Sequence, residues 1–202
     1  LAVEVREGAV EESERSEGDD VGLRVFVGSR QAVVSTNDVK TDVAQLAERA
    51  VAMARAAPED PFAGLADPAQ LARDIPDLDL LDPDLPTVAQ LEERAQRAES
   101  AGLAVKGVTK SGGASASAGI GGMVLVTSHG FRGAYLNSGQ SVSMTAIAGD
   151  GTAMERDYDY SSAIHGTDLE PPEKVGRTAG ERTVERVNPR KVETRRVPVV
   201  FD

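Results

Sequence analysis

Over its first 36 residues the chain alternates apolar and polar positions: Leu1, Val3 and Val5, then Val21, Leu23, Val25 and Val27, and again from Ala32 to Val34. A two-residue period sends successive side chains to opposite faces of a strand. This stretch therefore predicts a four-stranded meander, punctuated by Gly8, Gly18, Gly22 and Gly28. From about residue 42 the period lengthens to that of a helix. Val43, Leu46, Ala47, Ala50, Ala54 and Ala57 fall on one stripe, Thr41 is placed to cap it with Asp42 in the first turn, and Pro58 stops it. Residues 1–57 thus predict a small mixed α/β first domain whose sheet packs one face on that helix.

Residues 58–86 hold six prolines among many aspartates, which forbids long regular elements. Phe62, Leu65, Leu71, Ile75, Leu78, Leu80, Leu81 and Leu85 are too many apolar side chains for a disordered segment, so an ordered connector is expected. At Thr87 a capping box with Gln90 opens a second helix, with Val88, Leu91, Ala95 and Ala98 as its buried stripe and Gly102 as its end. Strands then read out at about 103–110, 119–128, 131–149 and 153–160, dense in glycine, as in bulged antiparallel sheets. A last helix is expected over about 171–187, with Pro171 and Pro172 in its first turn and Asn188-Pro189 ending it. Its Gly176, Ala179 and Gly180 would let it lie close on a sheet. The fold class is α+β, with a β-rich antiparallel middle domain over 87–191. Both ends read as cut through structure, and Val197 to Asp202 as a strand just starting, so 192–202 is expected to open a further, C-terminal domain.

Charge and composition narrow the function. The sequence carries a formal net charge of -11, which repels phosphate backbones and argues against direct contact with nucleic acid. The arginines and lysines between Arg177 and Arg196 are interleaved with Glu181, Glu185 and Glu193 and read as a solvated helix face. There is no cysteine, so disulfides and thiolate chemistry are excluded and a reducing, cytoplasmic setting is expected. No apolar run approaches the roughly 20 residues that span a bilayer, so no membrane role is expected.

No catalytic constellation is complete. The two histidines, His129 and His165, stand 36 residues apart and lack the helical spacing of a hydrolytic zinc pair. Ser115 and Ser117 lie in Gly113-Ala114-Ser115-Ala116-Ser117, which lacks the second glycine of a nucleophile elbow. Gly119 to Gly122 match neither a phosphate loop nor a dinucleotide fingerprint. No catalytic residue, metal ligand or cofactor is therefore expected within these residues. The most informative string is Met154-Glu155-Arg156-Asp157-Tyr158-Asp159-Tyr160. On a strand, Glu155, Asp157 and Asp159 share one face, and Arg156, Tyr158 and Tyr160 the other. The tyrosine side is expected to be at least half buried, and the whole string is the candidate peptide-binding or interface segment.

In order, Ser35-Thr36-Asn37-Asp38, Glu48 to Ala54, Ala57-Pro58-Glu59-Asp60-Pro61, Gly107-Val108-Thr109, Thr127-Ser128-His129-Gly130-Phe131, Met154 to Tyr160, Asn188-Pro189-Arg190-Lys191 and Val199-Val200-Phe201-Asp202 resemble the TldD/PmbA family, on its PmbA or TldE side. The strings run through nearly the whole chain. The resemblance implies an α/β first domain, a β-rich middle domain and a C-terminal domain beyond it. It implies a subunit of a zinc metallopeptidase that degrades unfolded polypeptides and trims leader peptides, partnered with a TldD-like subunit or with itself. The zinc, held by an HExxxH motif among other ligands, is then expected on the TldD-like subunit. The family's older label, modulator of DNA gyrase, implies as an alternative a regulatory protein-binding module acting on gyrase or its toxin-antitoxin partners.

Overall fold

The computed structural model describes residues 1–201. It is an α+β structure, with strands β1 (Ala2–Arg6), β2 (Ala9–Glu14), β3 (Val21–Val27), β4 (Arg30–Thr36), β5 (Val108–Val126), β6 (Arg132–Ala148) and β7 (Glu155–Ala163), and helices α1 (Val43–Ala56), α2 (Val88–Leu103) and α3 (Pro172–Arg186). The chain divides into two compact units.

The larger unit takes residues 1–15, 79–122 and 136–202. Its sheet has the order β2-β1-β5-β6-β7. β1 pairs antiparallel with both β2 and β5, Val3 lying opposite Ala116 and Val5 opposite Ala114. Val3, Val5, Ala114, Ala116, Val142, Met144 and Ala146 on one sheet face pack against Leu91, Ala95 and Ala98 of α2 and Val175 and Ala179 of α3. Small side chains bring the helices together. A Cβ added at Gly176 would stand 1.9 Å from the Ala98 carbonyl oxygen, so only glycine permits this approach of α3 to α2.

The smaller unit, residues 16–78 with the tip of the β5–β6 hairpin at 123–135, holds the separate β3–β4 sheet and α1. Its core is Val34, Leu46 and Ala50, flanked by Val21, Leu23 and Val25.

Several expectations change. The four strands of residues 1–36 do not form one meander, because β1 finds its second neighbour in β5, more than a hundred residues on, while β3 and β4 pair only with each other. Asp42, not Thr41, caps α1, its Oδ1 accepting from the Ala44 N–H at 2.9 Å. The capping box of Thr87 and Gln90 is present, but Gly102 lies inside α2, where it makes room for Met144 rather than ending the helix. Residues 103–110 and 119–128 do not form two strands, since β5 begins at Val108 and runs unbroken to Val126. The close approach of Gly176 and Gly180 is to α2, not to the sheet. In the connector a 3-10 turn spans Pro68–Gln70, yet Phe62 is 93% exposed and Ile75 and Leu78 are also exposed, so these side chains do not anchor it. The anchoring falls at its end, where Asp82 and Pro86 are buried and Leu85 packs on the larger core. No strand begins between Val197 and Phe201, and Asp202 lies outside the described residues.

Candidate functional site

β7 is an edge strand, paired with β6 in a register that sets Tyr160 opposite Ser143, Tyr158 opposite Thr145 and Arg156 opposite Ile147. Its alternation is as expected, but its orientation is reversed. Tyr158 and Tyr160 are 57% and 62% exposed, their rings stacked with centroids 6.4 Å apart, whereas Glu155, Asp157 and Asp159 turn inward. Met154 stands exposed just before the strand.

The cause lies in α3. Arg182 pairs with Asp159 at 2.9 Å and Arg186 pairs with Asp157. Between them the buried Thr183 hydroxyl accepts the Asp157 N–H at 3.0 Å and lies 2.7 Å from the Ala179 carbonyl. Burial pushes the Asp157 carboxyl up, but the Tyr158 N–H and the Arg186 guanidinium outweigh it and hold the group below its ordinary value. The inward face is therefore matched to arginines, which leaves the aromatic face to solvent. There it adjoins a row of hydroxyls, with Ser115 and Ser143 bonded at 2.9 Å and Ser117 and Ser141 at 2.8 Å. None of these serines has the histidine contact of an activated nucleophile.

A second constellation, not anticipated from the sequence, lines a cavity of about 620 Å³ at the end of the connector. Asp82 Oδ2 accepts the Gly166 N–H at 2.7 Å and the Gln140 Nε2 at 2.9 Å, and Oδ1 accepts the Asp84 N–H at 2.9 Å. The first of these bonds, with the others, holds the Asp82 carboxyl below its usual value. Gln140 in turn presents its Oε1 to Arg94 at 3.1 Å. His165 also borders the cavity, its Nε2 3.0 Å from the Asp79 carbonyl, a contact that raises its pKa. Asp82, Arg94 and Gln140 escaped the sequence reading, although one signal was present. Ser138 and Gln140 are polar residues in the inward phase of β6, continued by Val142, Met144 and Ala146.

Among the described residues no three His, Cys, Asp or Glu side chains converge on a point where they could hold a metal ion. His129 sits exposed in the β5–β6 turn and His165 is engaged with Asp79. The donor set among the described residues does not fit a zinc centre. No helix among the described residues is long and apolar enough to cross a membrane.

Two family models match the chain: the PmbA/TldA metallopeptidase domain 1 over residues 1–54 and the central domain over residues 81–187. The chain belongs to the PmbA/TldD metallopeptidase family. It is 36% identical to the metalloprotease PmbA of Escherichia coli O157:H7 and 34% identical to a PmbA homologue of Haemophilus influenzae, in each case over its full length. It spans 45% of the length of both relatives. Among solved structures, a protein of Bacteroides thetaiotaomicron described as a modulator of DNA gyrase superposes with a TM-score of 0.82 at 24% identity, covering 95% of this chain and 44% of that one. TldE of Thermococcus kodakarensis does so with a TM-score of 0.69 at 13% identity, covering 91% and 41%. These two likenesses establish the fold.

Proposed function

We propose that the chain is the non-catalytic first and central portion of a TldE-type subunit, working in a cytoplasmic TldD/TldE-type zinc metallopeptidase that degrades unfolded peptides or trims leader peptides. Its partner is a TldD-like subunit that carries the zinc, or a second copy of itself. The identity to PmbA along the whole chain supports the family half of this reading. The observation that carries the rest is the outward face of β7. Tyr158 and Tyr160 stand opposite the hydroxyl residues Thr145 and Ser143, and Arg156 opposite Ile147, so two flat amphipathic rings offer contact area without a specific pocket. Such a surface suits polypeptide of varied sequence or the face of a partner subunit.

The test is co-purification of the intact protein with its partners, for the wild type and for Tyr158→Ser combined with Tyr160→Ser. Recovery of a TldD-like subunit, with capture of a permanently unfolded polypeptide reduced about tenfold in the variant, is the expected result. Equal capture by both would remove the tyrosine face from the function. The solved relatives described as modulators of DNA gyrase favour a second reading, a regulatory protein-binding module. Recovery of gyrase in place of a TldD-like subunit would establish that reading instead.

A further inference from the structure

Several arginines of the larger unit are ion-paired across its elements. Arg97 pairs with Glu93 and Glu173, Arg182 with Asp159 and Arg186 with Asp157. Arg94, one turn before Arg97 on α2, is partly buried, and its desolvation lowers its pKa. Its hydrogen bond goes to a neutral amide, the Gln140 Oε1 at 3.1 Å, and no ion pair among the described residues involves it. A guanidinium taken partly out of water without a counter-charge is short of the interaction that normally repays its desolvation.

Arg94 lines the cavity of about 620 Å³, a volume in the range of small-ligand sites. The orientation of Arg94 is set from behind. Asp82 takes the amide nitrogen of Gln140, which turns the amide oxygen towards the guanidinium, and Gln140 is itself only 3% exposed. The Asp82 carboxylate accepts two backbone N–H groups and that amide, and it makes no ion pair with Arg94 among the described residues. We propose that this cavity is a binding site for a single carboxylate of a peptide, received by the Arg94 guanidinium that Asp82 and Gln140 hold in place. The fork of an arginine matches a planar carboxylate. Asp82 and Asp84 on the cavity wall oppose the higher charge of a phosphate. That the carboxylate belongs to a peptide rests on the peptide-handling role proposed above, whereas carboxylate binding at Arg94 does not, so the two can fail separately.

The experiment is a titration of the intact protein, followed by nuclear magnetic resonance of the Arg94 Nε–H and the Gln140 amide, with three uncleaved probes. These are acetyl-trialanine with a free C-terminal carboxylate, the same peptide as its C-terminal amide, and acetyl-Ala-Glu-Ala amide, whose carboxylate is on the side chain. The expected result is saturable binding of a carboxylate probe, with the trialanine amide at least about tenfold weaker. The first and third probes distinguish a chain terminus from an acidic side chain as the source. Arg94→Met should weaken binding about tenfold or more, and Arg94→Lys less.

A second variant acts on the support alone. A Cβ at Gly166 would lie 2.7 Å from the Gln140 amide, so Gly166→Ala should displace Gln140 and weaken binding while Arg94 is retained. Circular dichroism of each variant confirms the fold. No binding of any probe to the wild type, equal binding of the trialanine acid and its amide, or undiminished binding by folded Arg94→Met would overturn the proposal.

Discussion

Glu99 is a carboxylate that is 2% exposed, on the face of α2 beneath the turn joining β1 to β2. It accepts the N–H groups of Glu7 and Gly8, each at 2.8 Å. Both residues have positive φ, 53° and 79°, so the turn aims two adjacent donors at one anion. Replacing Glu99 by Ala leaves both donors without a partner and should cost about 2–3 kcal/mol of unfolding free energy, and Gln about half of that. Urea denaturation of the two variants checks this, and an unchanged midpoint for Ala would show that the turn does not depend on the carboxylate. Glu99 escaped the sequence reading, and its one signal is its place a helical turn after the inward Ala95. The signal missed at Gln140 was of the same kind, a polar residue in an inward strand phase. The orientation of Tyr158 carried no such signal. Alternation defines two faces, but which one is inward depended on Arg182 and Arg186, more than twenty residues away in sequence.

Among the elements, β7 shows how an edge can be closed chemically. The Tyr158 N–H is taken by the Asp157 side chain at 2.8 Å, and the Tyr158 carbonyl lies 3.5 Å from Arg182. Backbone groups that would otherwise template another strand are thus engaged. The same ties give stability a pH signature. Asp82, held down by the Gly166 N–H, Asp157, held down by Tyr158 and Arg186 against its burial, and Glu173, held down by Arg97, all titrate below their ordinary values near 3.8 and 4.5. Their contribution is complete above those values and is lost as pH falls through the lower folded ones. His165, raised by the Asp79 carbonyl from 6.5, behaves oppositely. Its contribution is complete below 6.5 and is lost as pH rises through the raised folded value. Denaturation midpoints should therefore form a plateau between about pH 5 and 6.5, and His165→Gln should flatten only the alkaline side. An alkaline slope unchanged in that variant would assign it to other groups.

On the scale of the whole molecule, periodicity located α1, α2, α3, β1, β6 and β7, because each buries a stripe whose spacing is local, but not the inward half of β5, whose Ala114 and Ala116 fall between the two strands expected there. Pairing was less legible, since nothing in Val3 or Val5 announces a partner at Ala116 and Ala114. The connector misled for a related reason: its leucines looked like anchors, but apolar content alone does not say what there is to pack against. The pairing of β1 with β5 carries a consequence for synthesis. The first strand leaves the ribosome with its hairpin partner β2, but its other neighbour follows only after residue 108, with α2 emerging in between. β3, β4 and α1, contiguous in sequence from Val21 to Ala56, have no such delay. On nascent chains carrying a translation-arrest sequence, a first folding force should register once residue 56 has cleared the exit tunnel. A second should come only after β5 and β6 have emerged, and until then Val3 and Val5 are exposed to whatever binds unfolded chains in the cell.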